Sequence, residues 1–388
     1  MIDRPLRGVV VAGIGETGYY KRATAPQGAM GLCVRAVLAA CADAGLDPVD
    51  VDGFVSYGDD DNEGPDLATA IGARECRWSS VVWGGGGGGV AGALAQAAAA
   101  ILSGQAEHVV VLRGHAEAAG GRLMSAVSDY YMSAHYRAHG IISPAQLCAL
   151  RTRRMIDADG VPAVTMRAVA QASYTHAANN PGAVGRDVIL DDETYAASRM
   201  IAEPYRLYDC SRENDGAAAL LVTSAERAAA LGADAVHVIA VAQSTPAGWG
   251  QTIENEDDYT SGGFRLVAER LWRATGRGPD DVDVTQVYEN FTGAAVASLI
   301  DHGLATAATA GDVIRLDNLL ADGGALPINT AGGNVGEGFV HGIGLALEAV
   351  RQVRGTSVNQ VPGAELSLLI SGPAAPFVSS ALLAQAEA

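Results

Sequence analysis

The stretch from Thr330 to Arg354 reads T-A-G-G-N-V-G-E-G-F-V-H-G-I-G-L-A-L-E-A-V-R-Q-V-R. It predicts a glycine-rich loop that runs into an amphipathic helix, with Phe339 and His341 at the junction. A helix start presents free backbone N–H groups and the positive end of the helix dipole. Glycines let a ligand approach the backbone closely. That combination suits an acyl group whose oxygen becomes negative during reaction. The run Val287 to Gly293 is read with it. A second loop, six consecutive glycines at Gly84–Gly89, feeds a helix over 91–104 and offers donors of the same kind. Six glycines are costly in entropy, which argues for a functional reason.

Other chemistries are poorly supplied. Cys33, Cys41, Cys76, Cys148 and Cys210 are scattered and form no C-x-x-C, so neither a disulfide framework nor a zinc knuckle is expected. His135 and His139 stand at i, i+4, a spacing that suits a metal pair on a helix, but no third ligand is in sight and no metal is expected. Lys21 is the only lysine and falls in a loop, which leaves little for a Schiff base. Gly13-x-Gly15-x-x-Gly18 matches the dinucleotide fingerprint. That fingerprint should open a helix directly. Here the glycines lead into Tyr19-Tyr20-Lys21-Arg22 and Pro26, the helix begins only near Gln27, and a plain strand-to-loop exit is the better reading.

The elements that must position these residues alternate between strand and helix. Strands are expected over 9–12, 51–57, 109–112, 217–223 and 236–241, with helices over 27–45, 91–104 and 264–275. Residues 115–215 read as an elaborate insertion with helices near 144–158 and 163–178. The second half echoes the first: Gly45-Leu-Asp-Pro48 ends nine residues past its Pro at Tyr57, and Gly276-Arg-Gly-Pro279 ends nine past its Pro at Tyr288. Each half then supplies a Gly-rich loop, a helix and a strand. Two similar α/β halves follow, 1–235 with the insertion and 236–388, packed face to face with loops of both meeting in one cleft.

The 388 residues are 49% hydrophobic but only 5% aromatic, so the core must be built from Ala, Val, Leu and Ile with tight glycine contacts. A net charge of −18 argues against nucleic acid or an anionic membrane as partner. The N-terminus lacks a signal pattern and the Ala-rich run near 91–102 is too short to span a bilayer. A reduced, cytoplasmic setting is expected.

Taken together, Gly13-Ile-Gly-Glu-Thr17, Pro144-Ala-Gln146, His176-Ala-Ala-Asn-Asn-Pro181, Ala202-Glu-Pro204, Asp215-Gly-Ala-Ala-Ala219, Tyr288-Glu-Asn-Phe291-Thr292, Leu326-Pro-Ile-Asn329-Thr and Gly332-Gly-Asn334 resemble the thiolase superfamily in its sterol-carrier-protein-x-like, lipid-transfer-protein branch. Within it the chain looks most similar to the steroid side-chain aldolases, which share Val-Arg-Gln-Val-Arg-Gly-Thr-Ser-Val-Asn, here 350–359. The resemblance implies a five-layered αβαβα fold of two similar halves, a homodimer and a coenzyme A thioester as substrate. It also implies a small OB-fold partner with a zinc ribbon, completing an α2β2 heterotetramer. No separate cofactor is implied; coenzyme A arrives as part of the substrate.

True thiolases carry a nucleophilic Cys at a position that falls on Gly87, and no Cys lies within 83–104. The second thiolase Cys, expected near Ser371-Gly372-Pro373, is missing too. The thiolase Gly-His-Pro falls on Gly338-Phe339-Val340. Covalent acyl transfer therefore lacks its nucleophile. The aldolase scheme, cleavage of a β-hydroxyacyl-CoA, needs none. By resemblance Tyr288 is the base for the substrate hydroxyl. Its pKa must be lowered, or its proton must move in concert with bond cleavage. A buried strand-end tyrosine is the plainer reading of the same residue. Gly87, Gly372 and Asn334 are the expected oxyanion and acyl contacts, and Phe339, His139 and Asn290 the expected cleft lining. The steroid aldolases have a second Tyr where Phe339 stands, so His341 or a water takes over the acid role, the pocket serves another acyl-CoA, or activity is impaired. His341 is either a catalytic acid or donor or a helix-start residue bonding backbone. The leading function is a retro-aldolase on a 17-hydroxy steroid acyl-CoA with a three-carbon side chain, giving a 17-ketosteroid and propionyl-CoA. A non-catalytic acyl-CoA-binding subunit and a degenerate thiolase or acyltransferase stand as alternatives.

Overall fold

A computed structural model of the chain describes residues 4–58, 63–82, 86–116, 134–245, 260, 263–372 and 377–386; of 134 and 135 it describes the backbone alone. The strands are β1 (Val9–Glu16), β2 (Tyr20–Lys21), β3 (Gly53–Tyr57), β4 (Trp78–Val82), β5 (His108–His115), β6 (Met200–Ala202), β7 (Tyr205–Arg206), β8 (Asn214–Ser224), β9 (Val236–Ser244), β10 (Val284–Val287), β11 (Leu366–Ser371) and β12 (Val378–Ala384). The longer helices are α1 (Ala29–Ala44), α2 (Val90–Leu102), α3 (Pro144–Asp159), α4 (Val164–Asn179), α5 (Phe264–Thr275), α6 (Thr292–Asp301) and α7 (Ile343–Arg354).

The main sheet runs β10-β11-β12-β9-β1-β8-β5-β3-β4. Its order mirrors itself about the antiparallel seam where Val10 pairs with His237 and Val11 with Val236. Outward from the seam lie β1, β8, β5, β3 and β4 on one side. On the other lie β9, β12, β11 and β10, extended by a parallel bridge from Thr285 to Ile328. Side chains alternate across each strand. Val9 and Val11 enter one core and Val10 and Ala12 another. Leu369 joins the same inner core as Val9, while Leu368 and Ile370 face α5 and α6. Both faces of the sheet are therefore covered. Helices α2 and α7 fill the inner layer, with α1 outside one half and α5 and α6 outside the other. This is the five-layered αβαβα arrangement. Among the described residues no helix is long and apolar enough to cross a membrane.

Two expectations change. The strand read as ending at Ala12 continues to Glu16, with an irregularity in its pairing to β8 between Val11 and Gly13. Gly13 and Gly15 are strand residues under α1: a Cβ on Gly13 would fall 2.1 Å from the Ala40 carbonyl oxygen, and one on Gly15 2.3 Å from that of Ala36. The dinucleotide spacing is thus a packing device. The second change concerns α7, read as amphipathic. From Ile343 to Val350 every residue is buried, because the helix lies between the two halves of the sheet. Its polar residues serve an internal network. Glu348 accepts from Thr330 at 2.5 Å and Ser357 at 2.6 Å, and Gln352 donates to the Asn359 carbonyl at 2.8 Å. Arg351 reaches Glu16 at 2.6 Å and Arg354 reaches Asp43 at 2.7 Å.

Because helix backbone sits against Gly15, Gly15→Ala is expected to lower unfolding free energy by about 1–3 kcal/mol, the usual cost of overpacking. Urea denaturation checks this, and an unchanged midpoint would contradict the close approach.

Candidate active site

Tyr288 follows the last residue of β10. Its N–H donates to the Ile370 carbonyl at 3.0 Å, and the Asn329 side chain pairs with both backbone groups of Val287, at 2.8 and 2.9 Å. The backbone before the ring is therefore held from two sides. The ring itself lies in a slot between two glycines. A Cβ on Gly87 would fall 2.0 Å from Cε2 and 2.4 Å from the hydroxyl of Tyr288, and one on Gly342 would fall 2.5 Å from Cδ2. Gly372, at φ 68°, presses on the same loop from the end of β11, where a Cβ would lie 2.2 Å from the Gly88 nitrogen. Ser371 Oγ accepts from the Ala91 N–H at 3.2 Å and Ser379 Oγ from the Gly92 N–H at 3.0 Å. The first turn of α2 is thus tied to β11 and β12. Gly87, Gly372 and Tyr288 come together; Gly84 and Gly85 lie outside the described residues.

His341 sits just before α7 with a φ of 47°, a left-handed conformation rare outside glycine. Arg113 Nη2 lies 2.6 Å from its Nδ1 and His115 Nε2 lies 3.2 Å from the same atom. Its carbonyl accepts from the Tyr57 hydroxyl at 3.0 Å. A guanidinium has no acceptor. The Nδ1 of His341 must therefore carry the lone pair, which leaves the proton on Nε2. Burial first, then Arg113 and His115, holds His341 well below the usual histidine range. The expected depression is present; its main cause is desolvation, with the buried cation adding to it. Burial and Arg113 do the same to His115. Burial pushes the Tyr288 phenol far above its ordinary range, with Arg113 partly opposing. Tyr288 therefore stands protonated at neutral pH, contrary to a standing phenolate base. Phe339 lies between them, its ring centroid 6.1 Å from that of Tyr288 and 5.3 Å from that of His341, both edge-on.

The other expected site residues divide. Asn334 is buried and one side-chain N–H donates to Glu289 Oε2 at 3.1 Å, which ties it to the loop. The Asn290 carbonyl accepts from the Ser211 N–H at 2.9 Å, and its side-chain oxygen is buried without a protein partner. His139 is exposed at the end of the short helix Ala134–Ala138, unlike the buried residues of the cluster, and the His135 side chain lies outside the description. Among the described residues no three His, Cys, Asp or Glu side chains are grouped as a metal would need. Sequence reasoning missed Arg113, His115 and Tyr57. Only Tyr57 left a signal, as the repeat mate of Tyr288.

Glu289 is fully buried beneath the loop. It accepts from Asn334 and, at 3.3 Å, from the Val335 N–H. Burial pushes its carboxyl up from 4.5 to about 7. The unfolded chain loses this proton near the ordinary value, the folded chain only near 7. The fold is therefore favoured below the lower value and loses stability as pH rises across the interval, on the order of 3 kcal/mol. Glu289→Gln should remove that slope. Its stability relative to the native chain should rise between pH 4.5 and 8, as read from urea midpoints, and a constant difference would contradict the assignment.

With this geometry in place, likeness to known proteins becomes informative. Residues 246–383 match the family described as thiolase C-terminal domain-like. The 17-hydroxy-3-oxo-4-pregnene-20-carboxyl-CoA lyase of Mycobacterium tuberculosis is 36% identical over 94% of this chain and 96% of its own. The steroid side-chain-cleaving aldolase of Thermomonospora curvata is 36% identical over 93% and 94%. A solved Ltp2-ChsH2(DUF35) aldolase superposes with a TM-score of 0.90 at 35% identity, covering 98% of both chains. The chain belongs to the thiolase superfamily, in the lipid-transfer-protein-like branch of the steroid side-chain aldolases, and is a carbon–carbon lyase built on the thiolase fold.

Proposed function

We propose that the chain cleaves a 17-hydroxy steroid acyl-CoA with a three-carbon side chain, giving the 17-ketosteroid and propionyl-CoA by retro-aldol chemistry without a covalent intermediate. The observation that carries the reading is the seating of the Tyr288 phenol against Gly87, the position on which the resemblance to thiolases would place their nucleophilic Cys. The five cysteines support it: burial pushes Cys41 and Cys148 up to about 12 and raises Cys76 and Cys210 as well, and Cys33 is buried, so none is a ready nucleophile. The names of the two steroid-cleaving relatives support the substrate class.

The protons balance through one residue. The protonated Tyr288 accepts the C17 hydroxyl proton as the carbon–carbon bond breaks and passes its own proton to the leaving thioester enolate. Tyr288 ends as it began. His341, neutral with its proton on Nε2, donates a hydrogen bond to the enolate oxygen, a role that needs no proton transfer. Backbone N–H groups of the Gly86–Gly89 loop and Gly372 complete the polar surface. Coenzyme A enters as part of the substrate and no other cofactor takes part. The working assembly is a homodimer flanked by two small OB-fold zinc-ribbon chains in the cytoplasm. The pairing of two proteins in the Ltp2-ChsH2(DUF35) aldolase supports this partner. Phe339 favours a second reading, a non-catalytic acyl-CoA-binding subunit, since Phe cannot transfer a proton.

The test mixes the chain and its OB-fold partner with the steroid thioester and follows the 17-ketone and propionyl-CoA by chromatography. Native chain should form both, and iodoacetamide should leave the rate unchanged. Tyr288→Phe should reduce kcat about 10²–10⁴-fold, the usual worth of general acid–base catalysis, with acyl-CoA affinity within about threefold. Full activity in Tyr288→Phe would sink the mechanism. Binding without turnover by the native chain would favour the non-catalytic subunit.

A further inference from the structure

The geometry points to Arg113 as a positioning residue, which fixes His341 as an Nε2–H donor aimed at the glycine loop. This rests on the retro-aldolase reading for its consequence but not for its structure. Arg113 is among the largest fully buried side chains, 2% exposed. It lies near the end of β5, two residues before His115, so the two share one face of the strand. Both meet Nδ1 of His341. The intervening Gly114 faces the other way, where a Cβ would collide with Cys33.

The guanidinium makes a closed clamp. One nitrogen donates to the Tyr57 carbonyl and another to His341 Nδ1. Its carbon stands 5.4 Å from the centre of the Tyr57 ring. The Tyr57 hydroxyl then closes the loop by donating to the His341 carbonyl at 3.0 Å. Gly58, at φ 89°, makes room: a Cβ there would come within 3.0 Å of both terminal guanidinium nitrogens. The clamp holds His341 from ring and backbone together, which sustains its left-handed φ of 47°. With Nδ1 occupied by donors, the Nε2 edge is left for the loop. A Cβ on Gly86 would lie 4.0 Å from that atom. Lysine cannot reproduce the clamp, because its ammonium is a point donor and the guanidinium a planar fork.

The experiment reads the tautomer directly. Full-length chain labelled with ¹⁵N-histidine is examined at pH 7 by long-range ¹H–¹⁵N spectra, with His341 identified by the resonances missing in His341→Gln. Native chain should show His341 as a single neutral Nε2–H form. Arg113→Leu should give a mixture of tautomers and, in the cleavage assay with the OB-fold partner, a fall in kcat of about tenfold or more with KM within about threefold. Arg113→Lys should fall between the two. An Nδ1–H or protonated His341 in the native chain overturns the proposal. So does an Arg113→Leu variant whose tautomer and kcat are unchanged. If Arg113→Leu does not fold, the native spectrum and Arg113→Lys decide. Absence of cleavage by native chain would refute the substrate reading, while the native tautomer would still test the clamp.

Discussion

The site depends on how closely two backbones approach one another. Loop Gly86–Gly89 is pressed between the Tyr288 ring and Gly372, leaving no room for a side chain at Gly87 or Gly372. This contact, like the β1–β9 seam, joins the two sides of the sheet. Tyr288 and Gly372 come from the second half, and the glycines open α2 of the first. Ser371 and Ser379 reinforce it by accepting hydrogen bonds from the first turn of α2. These N–H groups would otherwise be unpaired at a helix start inside the protein. The low aromatic content fits this design. Small side chains on α2, such as Ala93 and Ala97, let an inner helix lie against sheet on both sides.

The electrostatics of the site follow from burial more than from any one charge. Tyr288, His341 and His115 are each driven towards their neutral forms by desolvation. The single cation among them, Arg113, opposes the rise of the phenol and adds to the fall of the imidazoles. The free site therefore holds a neutral phenol and neutral imidazoles around one fixed positive charge. In the proposed reaction an enolate forming there would gain from that charge, with no carboxylate among Tyr288, His341 and His115. Glu289 lies beneath the loop, where its hydrogen bonds to Asn334 and Val335 shape the backbone instead.

Much of this was legible in the sequence, for identifiable reasons. The strand-to-helix alternation and the repeat from Gly45 and Gly276 foretold an α/β chain of similar units, and the thiolase likeness is now shown. Glycines that a close contact demands were conspicuous, so Gly87 and Gly372 stood out. Arg113 and His115 did not, because their proximity to His341 comes from β5 lying beneath the start of α7, across 228 and 226 residues of chain. The polar residues of α7 misled for a related reason. Glu348 and Gln352 look solvent-facing in a helical pattern, yet they satisfy Thr330, Ser357 and Asn359 in the interior. Glu289, next to Tyr288 in sequence, is a further case: it accepts from the Asn334 amide inside the loop.

Phe339 is the residue that most constrains the chemistry. Its N–H is held by Asn214 at 3.0 Å, and its ring meets Tyr288 and His341 edge-on. It borders the phenol with an apolar ring but offers no proton. If two acids were needed, such a site would fail. Retro-aldol cleavage moves one proton from oxygen to carbon, so a single neutral hydroxyl that accepts one and yields another satisfies the balance. A phenol raised by burial suits this relay better than a phenolate, since it already carries the proton it must give. The apolar ring of Phe339 also lowers the local dielectric, which in the proposed reaction would strengthen the Nε2–H of His341 against the enolate oxygen. A second tyrosine would add a donor; with phenylalanine there, the proposed reaction leaves the whole proton balance to Tyr288.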